Sequence, residues 1–414
     1  MSLMPVDAIT LITHQVSLFG PQHGMVEEGD KCARHVAATN FRIWPTGGGG
    51  GCMSGQARKA SVKYDPEDSD DDDAQLLLKR PSRNGKQDSD YHALALCLDF
   101  IFPWRRRRRL MQLRERKRVA RTNATLAADY GHSLAIRHGL RVDCWGTNAD
   151  GRAPKNGVTG DFIAVSAGEG HSLGLRRGGR VACWGWNDEG QAPPEGVAGD
   201  FVDIAAGGEH SLALRRNGNV VCWGWNVEGQ APPDGKFGNF VAVAAGSQHS
   251  LALHANGNVV CWGWNEFGQA PPRGVDGDFV AIDAADFHSM ALSSDGRVVC
   301  WGRNLEGQAP HEGVNGDFIA IAAGGYHSLA LRRDGSIACW GLNTNGQAPP
   351  EGVEGDFVAI AAGEGHSMAM RSDGKLLFWG YNAHGQAPYK EQIGPFASAV
   401  DVEGEPWQTY KDGV

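Results

Sequence analysis

HSLALRRDGSIACWGLNTNGQAPPEGVEGDFVAIAAGEG, residues 327–365, is one turn of a pattern that fills the chain from about residue 124 onward. Its opening dipeptide, His-Ser, recurs at His132, His171, His210, His249, His288, His327 and His366, each 39 residues from the next. A fixed period of this length marks a repeat architecture, in which each unit is one supersecondary piece that buries its faces against its neighbours.

Three short runs in the unit read as strands. Phe357–Ala362 (FVAIAA), 328–332 (SLALR) and 336–340 (SIACW) are β-branched or alternating and are bounded by Gly, Asp and Asn. None reaches ordinary helix length. Asp334-Gly335, with its copies Asn217-Gly218, Asn256-Gly257, Asp295-Gly296 and Asp373-Gly374, predicts a two-residue type I′ hairpin turn between the second and third runs. A few residues around Gly363 and Gly365 join the first run to the second, so the unit is expected to be a three-stranded antiparallel meander. The following QAPPEGVEGD is different, because Pro349 and Pro350 supply no N–H donors. It is expected to lie in the place of a fourth strand without becoming one. Val358, Ile360, Leu329 and Leu331 alternate with Ala359, Ala361 and Ala330, so a large face is expected to meet a neighbour's small face. Seven units arranged radially give an all-β fold, a seven-bladed β-propeller with short, mainly three-stranded blades.

The charge divides the chain in two. Residues 1–123 carry 20 Lys/Arg against 15 Asp/Glu, a net +5, and the remainder carries 19 against 33, a net −14, which together make −9. The expected organisation is a low-complexity, largely disordered tail over 1–123, the propeller over 124–402 and a C-terminal tail over 403–414. The first tail holds five glycines at 47–51, an acidic block at 68–73, and a basic stretch of Arg105, Arg106, Arg107, Arg108, Arg109, Arg114, Arg116, Lys117, Arg118 and Arg121. Clustered arginine suits a nuclear-localisation or nucleic-acid segment equally with a solvated linker. The N-terminus has no secretory pattern. The longest apolar segment, 93–104, falls short of the roughly 20 residues a spanning helix requires. A cytoplasmic or nuclear monomer without membrane contact is expected, with nucleic acid reached only through the basic tail.

Repetition also decides how the reactive side chains are read. Six cysteines, at 144, 183, 222, 261, 300 and 339, are one position copied, and the seventh copy is Phe378, so the position is one of apolar packing. Without CxxC spacing no zinc site is expected. One thiol per blade suits a reducing compartment. Seven identical histidines suit a repeated structural hydrogen bond, since nucleophilic chemistry needs a base and an orienting group gathered once. The tryptophans at 145, 184, 223, 262, 301, 340 and 379 are read as blade packing. No catalytic residue, metal or cofactor is expected.

The pattern G-x-x-HSLAL-x-x-DG-x-V-x-x-WG-x-N-x-x-GQ resembles the repeat of the regulator of chromosome condensation family over about 280 residues. In unit length, and in WGWN followed by GQ, it is most similar to that family's propeller-type β-lactamase inhibitory protein, whose blades have three strands. The resemblance implies the propeller and leaves the activity open. The family includes a guanine nucleotide exchange factor for a small GTPase, ubiquitin ligases and a plant UV-B receptor. GQAPP replaces the GQLG that ends the longer units, and the receptor's tryptophan motif is missing.

The expected function is therefore a non-enzymatic, protein-binding propeller. The alternatives are a chromatin-associated exchange factor and the substrate-binding propeller of a ubiquitin ligase complex. Strand direction brings the residues before each His and those after each Trp-Gly onto one face, where the units also differ most. Trp186, Trp225 and Trp264, with Phe267 and Phe287 and an extension to Tyr326 and Tyr381, are expected to form the partner-binding rim. Degenerate first strands stand at both ends, at 124–128 and 396–400. The first is expected to belong to the blade of His132 and the second to be a closing extra.

Overall fold

The computed structural model describes residues 124–138, 141–388 and 396. The tail over 1–123 with its acidic and basic blocks, the closing stretch 403–414 and residues 397–400 lie outside the described residues. Blade 1 consists of β1 (Leu126–Asp129), β2 (His132–Ile136) and β3 (Val142–Gly146), and blades 2 to 7 follow at 162–185, 201–224, 240–263, 279–302, 318–341 and 357–380. Each blade is one antiparallel sheet whose three strands lie in chain order. The meander read from the sequence is the blade.

The hairpin turn differs from the expectation by one residue. Arg332 C=O accepts from Gly335 N–H at 3.0 Å while Arg332 N–H donates to Ser336 C=O at 2.8 Å, so the loop is the three residues 333–335. Gly335 has φ 91° and closes the turn as a one-residue bulge, a geometry that glycine adopts without Cβ strain. The turn needs one left-handed residue, whereas a type I′ turn would need two.

The proline segment behaves as expected. Gly196 N–H closes a tight turn on Pro193 C=O at 2.8 Å. The next residue, Val197, makes a single antiparallel bridge to Val181 at the start of the third strand, and five other units repeat it. A fourth strand is thus reduced to one residue pair.

The packing of the faces corrects the simple alternation. In blade 7, Phe357 pairs with Arg371 and Ala359 with Met370, so a bulge follows the first phenylalanine, as it does in every blade from 2 to 7. The bulge shifts the parity of the strand, and Phe357 and Ile360 come to the same side. They join Ala362 and Ala369 against Leu329, Leu331, Ile337 and Cys339 of blade 6. Ile360 therefore faces the preceding blade, not the same way as its own blade's leucine-type positions.

Blade 1 is continuous in the chain, and the C-terminal copy adds a single residue to it. Phe396 bridges Arg137, as Phe357 pairs with Arg371 in blade 7. Its N–H reaches Gly374 C=O at 3.2 Å, and the ring is buried. In the sequence Asn123 stands where the other units carry that phenylalanine. The far end of the chain supplies the missing ring and so closes the propeller.

Candidate protein-interaction face

The seven histidines form a belt. Each is fully buried, and its Nε2 lies 2.7–2.9 Å from the hydroxyl of the His-Ser serine in the next blade: His132 on Ser172, and so on round to His366 on Ser133. The protons can be assigned. Ser211 Oγ donates to Gln191 C=O at 2.9 Å, which uses its one hydrogen, so His171 Nε2 must be the donor to Ser211. Trp223 Nε1–H donates to the same carbonyl at 2.9 Å. Burial, chiefly, holds the imidazoles neutral, with pKa values lowered to about 3 at His132, His171, His249 and His327 and about 4 at His210, His288 and His366. This is the repeated structural bond read from the sequence. The cysteines are also packed inside, with burial raising the six thiols to about 12.

The two variable loop sets do share a face, and a backbone bond fixes them side by side. The residue after each Trp-Gly donates its N–H to the carbonyl of the residue before the blade's His, as Trp264 to Gln248 and Arg303 to Phe287, both 2.9 Å. The intervening glycine makes the bend. Gly263 has φ 96°, and a Cβ there would lie 2.7 Å from Gln248 O. The rest of W-G-x-N-x-x-G-Q is a self-bonded loop. Asn265 Oδ1 accepts from Ala270 N–H at 2.8 Å and Gln269 Oε1 from Phe267 N–H at 3.0 Å. The fixed letters build the loop, which leaves three free positions per blade to vary on a rigid support.

Those free positions carry most of the exposed apolar surface. Seven large apolar side chains are exposed among the described residues, and five lie on this face: Tyr130, Val227, Phe267, Leu305 and Tyr381. Val227 is 70% and Leu305 77% exposed. Neither was singled out by reading aromatic residues alone, although reading the three free loop positions together would have marked both. The other two, Phe237 and Val260, lie in the loop between blades 3 and 4 and on a third strand.

The expected rim residues divide into groups. Trp264, Phe267, Phe287 and Tyr326 form a chain of ring contacts over blades 4 to 6, with centroids 5.4 Å apart for Trp264–Phe267, 5.8 Å for Phe267–Phe287 and 6.0 Å for Phe287–Tyr326. Arg303 extends over both Phe287 and Tyr326. Trp186 instead lies against Gly170, whose Cβ would be 2.9 Å from the indole. Trp225 is partly buried. Tyr381 packs on His384 at 6.0 Å, on blade 7. The aromatic cluster thus centres on blades 4 to 6, beyond the arc of blades 2 to 4 that the tryptophans alone suggested.

Inside the ring of loops the character is acidic. An axial cavity of about 180 Å³ is lined by the alanine-rich first strands, with Asp129 and Asp286 at its lining. Burial, then Glu169 and Glu364, push Asp286 up to about 7. Asp129 is held well above the usual carboxylate range by burial and by Asp286. Gly325 leaves room for this grouping, since a Cβ there would come within 2.9 Å of Asp286 Oδ2 and 3.1 Å of Glu364 Cγ. Deeper in, Asp203 and Asp283 cap backbone N–H groups of the next blade, Val243 at 3.0 Å and Ala323 at 2.8 Å. Among the described residues no three His, Cys, Asp or Glu side chains converge as a metal ion would require.

A three-stranded repeat with this belt and this loop defines a class of propeller, and the regulator of chromosome condensation (RCC1) repeat matches six times, at 162–191, 201–230, 240–269, 279–308, 318–347 and 357–386. The chain belongs to the RCC1 repeat family. Among solved structures it is similar to the ectodomain of the Physcomitrella patens receptor kinase CR4, with 25% identity, a TM-score of 0.51, and 62% of this chain and 72% of that one covered. The ectodomain of the Arabidopsis thaliana receptor kinase ACR4 matches with 23% identity and a TM-score of 0.52, covering 64% and 98%. Prp20p of Saccharomyces cerevisiae matches with 21% identity and a TM-score of 0.49, covering 59% and 81%. No curated protein matches the chain.

Proposed function

We propose that the propeller is a non-enzymatic protein-binding module that engages its partner through the face carrying the pre-His and post-Trp-Gly loops. The observation that carries this reading is the concentration of exposed apolar side chains there. Val227, Phe267 and Leu305 project from loops already rigidified by their own Asn and Gln, so little ordering entropy opposes binding. Aromatic residues beside a partly buried arginine are the composition of interface hot spots. The non-enzymatic part of the reading is supported by the belt. Each His spends Nε2–H on a serine, and seven identical surroundings offer no single nucleophile, base and orienter.

The test begins with affinity purification of the full chain and identification of the retained protein by mass spectrometry. That protein is then purified and titrated against the wild type and the variant V227S/F267S/L305S by calorimetry. All three side chains are exposed, so the melting temperature should hold while affinity falls by about thirtyfold or more, the size of a hot-spot loss. Unchanged affinity would place the interface elsewhere.

A further inference from the structure

The interaction face contains one charged side chain whose position has no structural explanation. Arg303 occupies the position after Trp-Gly in blade 5, where the other blades carry Thr147, Trp186, Trp225, Trp264, Leu342 and Tyr381. Its guanidinium carbon sits 5.4 Å from the centroid of Phe287 and 5.4 Å from that of Tyr326. Nε is buried and has no hydrogen-bond partner among the described residues, and no carboxylate there pairs with the guanidinium. Other partly buried arginines hold a partner through at least one nitrogen: Arg137 with Asp143, Arg152 with Asp150 and the Glu169 carbonyl although its Nε is likewise unpartnered, Arg176 with Asp161, Arg215 with Asp200, Arg332 with the Ser336 hydroxyl, and Arg371 with Asp356. Two aromatic faces hold the Arg303 fork in place and satisfy its charge in part, but they accept none of its N–H bonds.

We propose that Arg303 is the charged anchor of the partner interface and takes the carboxylate of an Asp or Glu side chain on the partner protein. The inference rests on the interaction-face reading above and adds to it the chemistry of the occupant. A guanidinium pre-oriented by stacking loses little rotamer freedom on binding and offers two parallel N–H donors, the geometry that a carboxylate matches. A single arginine suits a single negative charge. Phosphate recognition gathers several arginines. Leu305, two residues on, and Phe267, in contact with Phe287, place apolar surface beside it. The occupant is therefore an acidic side chain flanked by apolar ones.

The full-length protein, labelled with nitrogen-15 in arginine, is titrated with acetyl-Leu-Glu-Leu-amide, its Gln counterpart and its phosphoserine counterpart while the Arg303 Nε–H resonance is followed. The expected result is a saturable downfield shift with the Glu peptide and at least about tenfold weaker binding for the Gln peptide, the loss of a charge-assisted pair. Arg303→Lys, titrated by calorimetry beside the wild type, should weaken the Glu peptide to the Gln level, because an ammonium lacks the planar fork, while the melting temperature stays within a few degrees. Equal binding of Glu and Gln peptides, tighter binding of the phosphoserine peptide, no saturable shift, or an Nε–H already downfield in the free chain would each overturn the proposal. The titration needs no natural partner. Loss of the partner by V227S/F267S/L305S with full retention by Arg303→Lys would remove this inference alone.

Discussion

The seam where blade 7 meets blade 1 and the seam between blades 3 and 4 do the same job with different residues. Between blades 3 and 4, Leu212, Leu214, Val220 and Cys222 pack on Phe240, Val243, Ala252 and Trp262, all from one uninterrupted stretch of chain. At the closing seam Met368, Met370, Leu376 and Phe378 pack on Leu126, Ala135, Trp145 and Phe396, so one ring arrives from the far end. Phe378 replaces the usual cysteine and meets Trp145 edge-on at 5.4 Å. The polar belt makes no such distinction, since His366 reaches Ser133 at 2.7 Å as His210 reaches Ser250 at 2.9 Å. Directional bonds need one geometry, and every blade must reproduce it. Apolar contacts need only filled volume, so the closing seam can be refilled with methionine and phenylalanine.

The largest effect should come from acid, and it should be blind to which seam is altered. The belt histidines have folded pKa values depressed to about 3 or 4, so the stability they contribute is fully present above the unfolded value of about 6.5 and is lost as pH falls toward the folded ones. Asp129, Asp283 and Asp286 oppose this, because their raised folded values favour the native state at low pH and that stability disappears as pH rises through them. Near pH 5 the seven histidines take up protons on unfolding, while these carboxylates, joined by Glu209 and Glu364 whose values burial also raises, release them. The histidines outnumber the raised carboxylates, so stability should fall on acidification, by about 1.4 kcal/mol per pH unit for each net proton taken up. Urea titrations between about pH 5.5 and pH 4.5 measure this slope. His366→Gln and His249→Gln should each reduce it by about 1.4 kcal/mol per unit, and a difference between them would break the equivalence of the two seams.

Next in size is the loss of the closing ring. Phe396→Ala and Phe279→Ala should each cost about 3–5 kcal/mol, the range for a buried phenylalanine. Only the first should also speed amide hydrogen exchange in β2, because Phe396 is tethered through a single bridge and its loss opens blade 1. A cost below about 1 kcal/mol for Phe396→Ala, against the same burial, would show that the propeller closes without it.

A smaller effect should separate the two fillings. Phe378→Cys leaves the closing seam short of volume and removes the Trp145 edge contact, for about 2–3 kcal/mol. Cys222→Phe overfills the inner seam and should cost about 1–3 kcal/mol. Chemical denaturation of both variants decides whether each seam is matched to its own residues, and a neutral result for either would mean that the position is slack.

The period, the strands, the proline-capped edge and the shared loop face were legible in the sequence because each depends on local chemistry repeated seven times. The histidine–serine bond was legible as a structural role for the same reason. The turn type and the side on which Ile360 packs were misread because both hinge on one extra residue, a bulge that no local preference announces. The sequence placed the aromatic residues on the loops of one face but not their grouping, since ring contact depends on where neighbouring blades place their backbones. Trp186 looks like Trp264 in sequence. It lies on Gly170, whereas Trp264 finds the Phe267 and Phe287 rings within reach.

What the sequence determined by itself is the unit, because hydrogen-bonded strands, glycine bends and Asn/Gln-closed loops are settled within about 40 residues of chain. What the tertiary structure alone decided is everything that depends on residues far apart coming together. It brought Phe396 from the far end of the chain onto Arg137 of blade 1, drew the carboxylates of several blades to one axis where burial raises them, and set Arg303 between rings from two blades with its Nε–H unpartnered. Distances between blades are fixed by closing the ring, and no stretch of sequence carries that constraint.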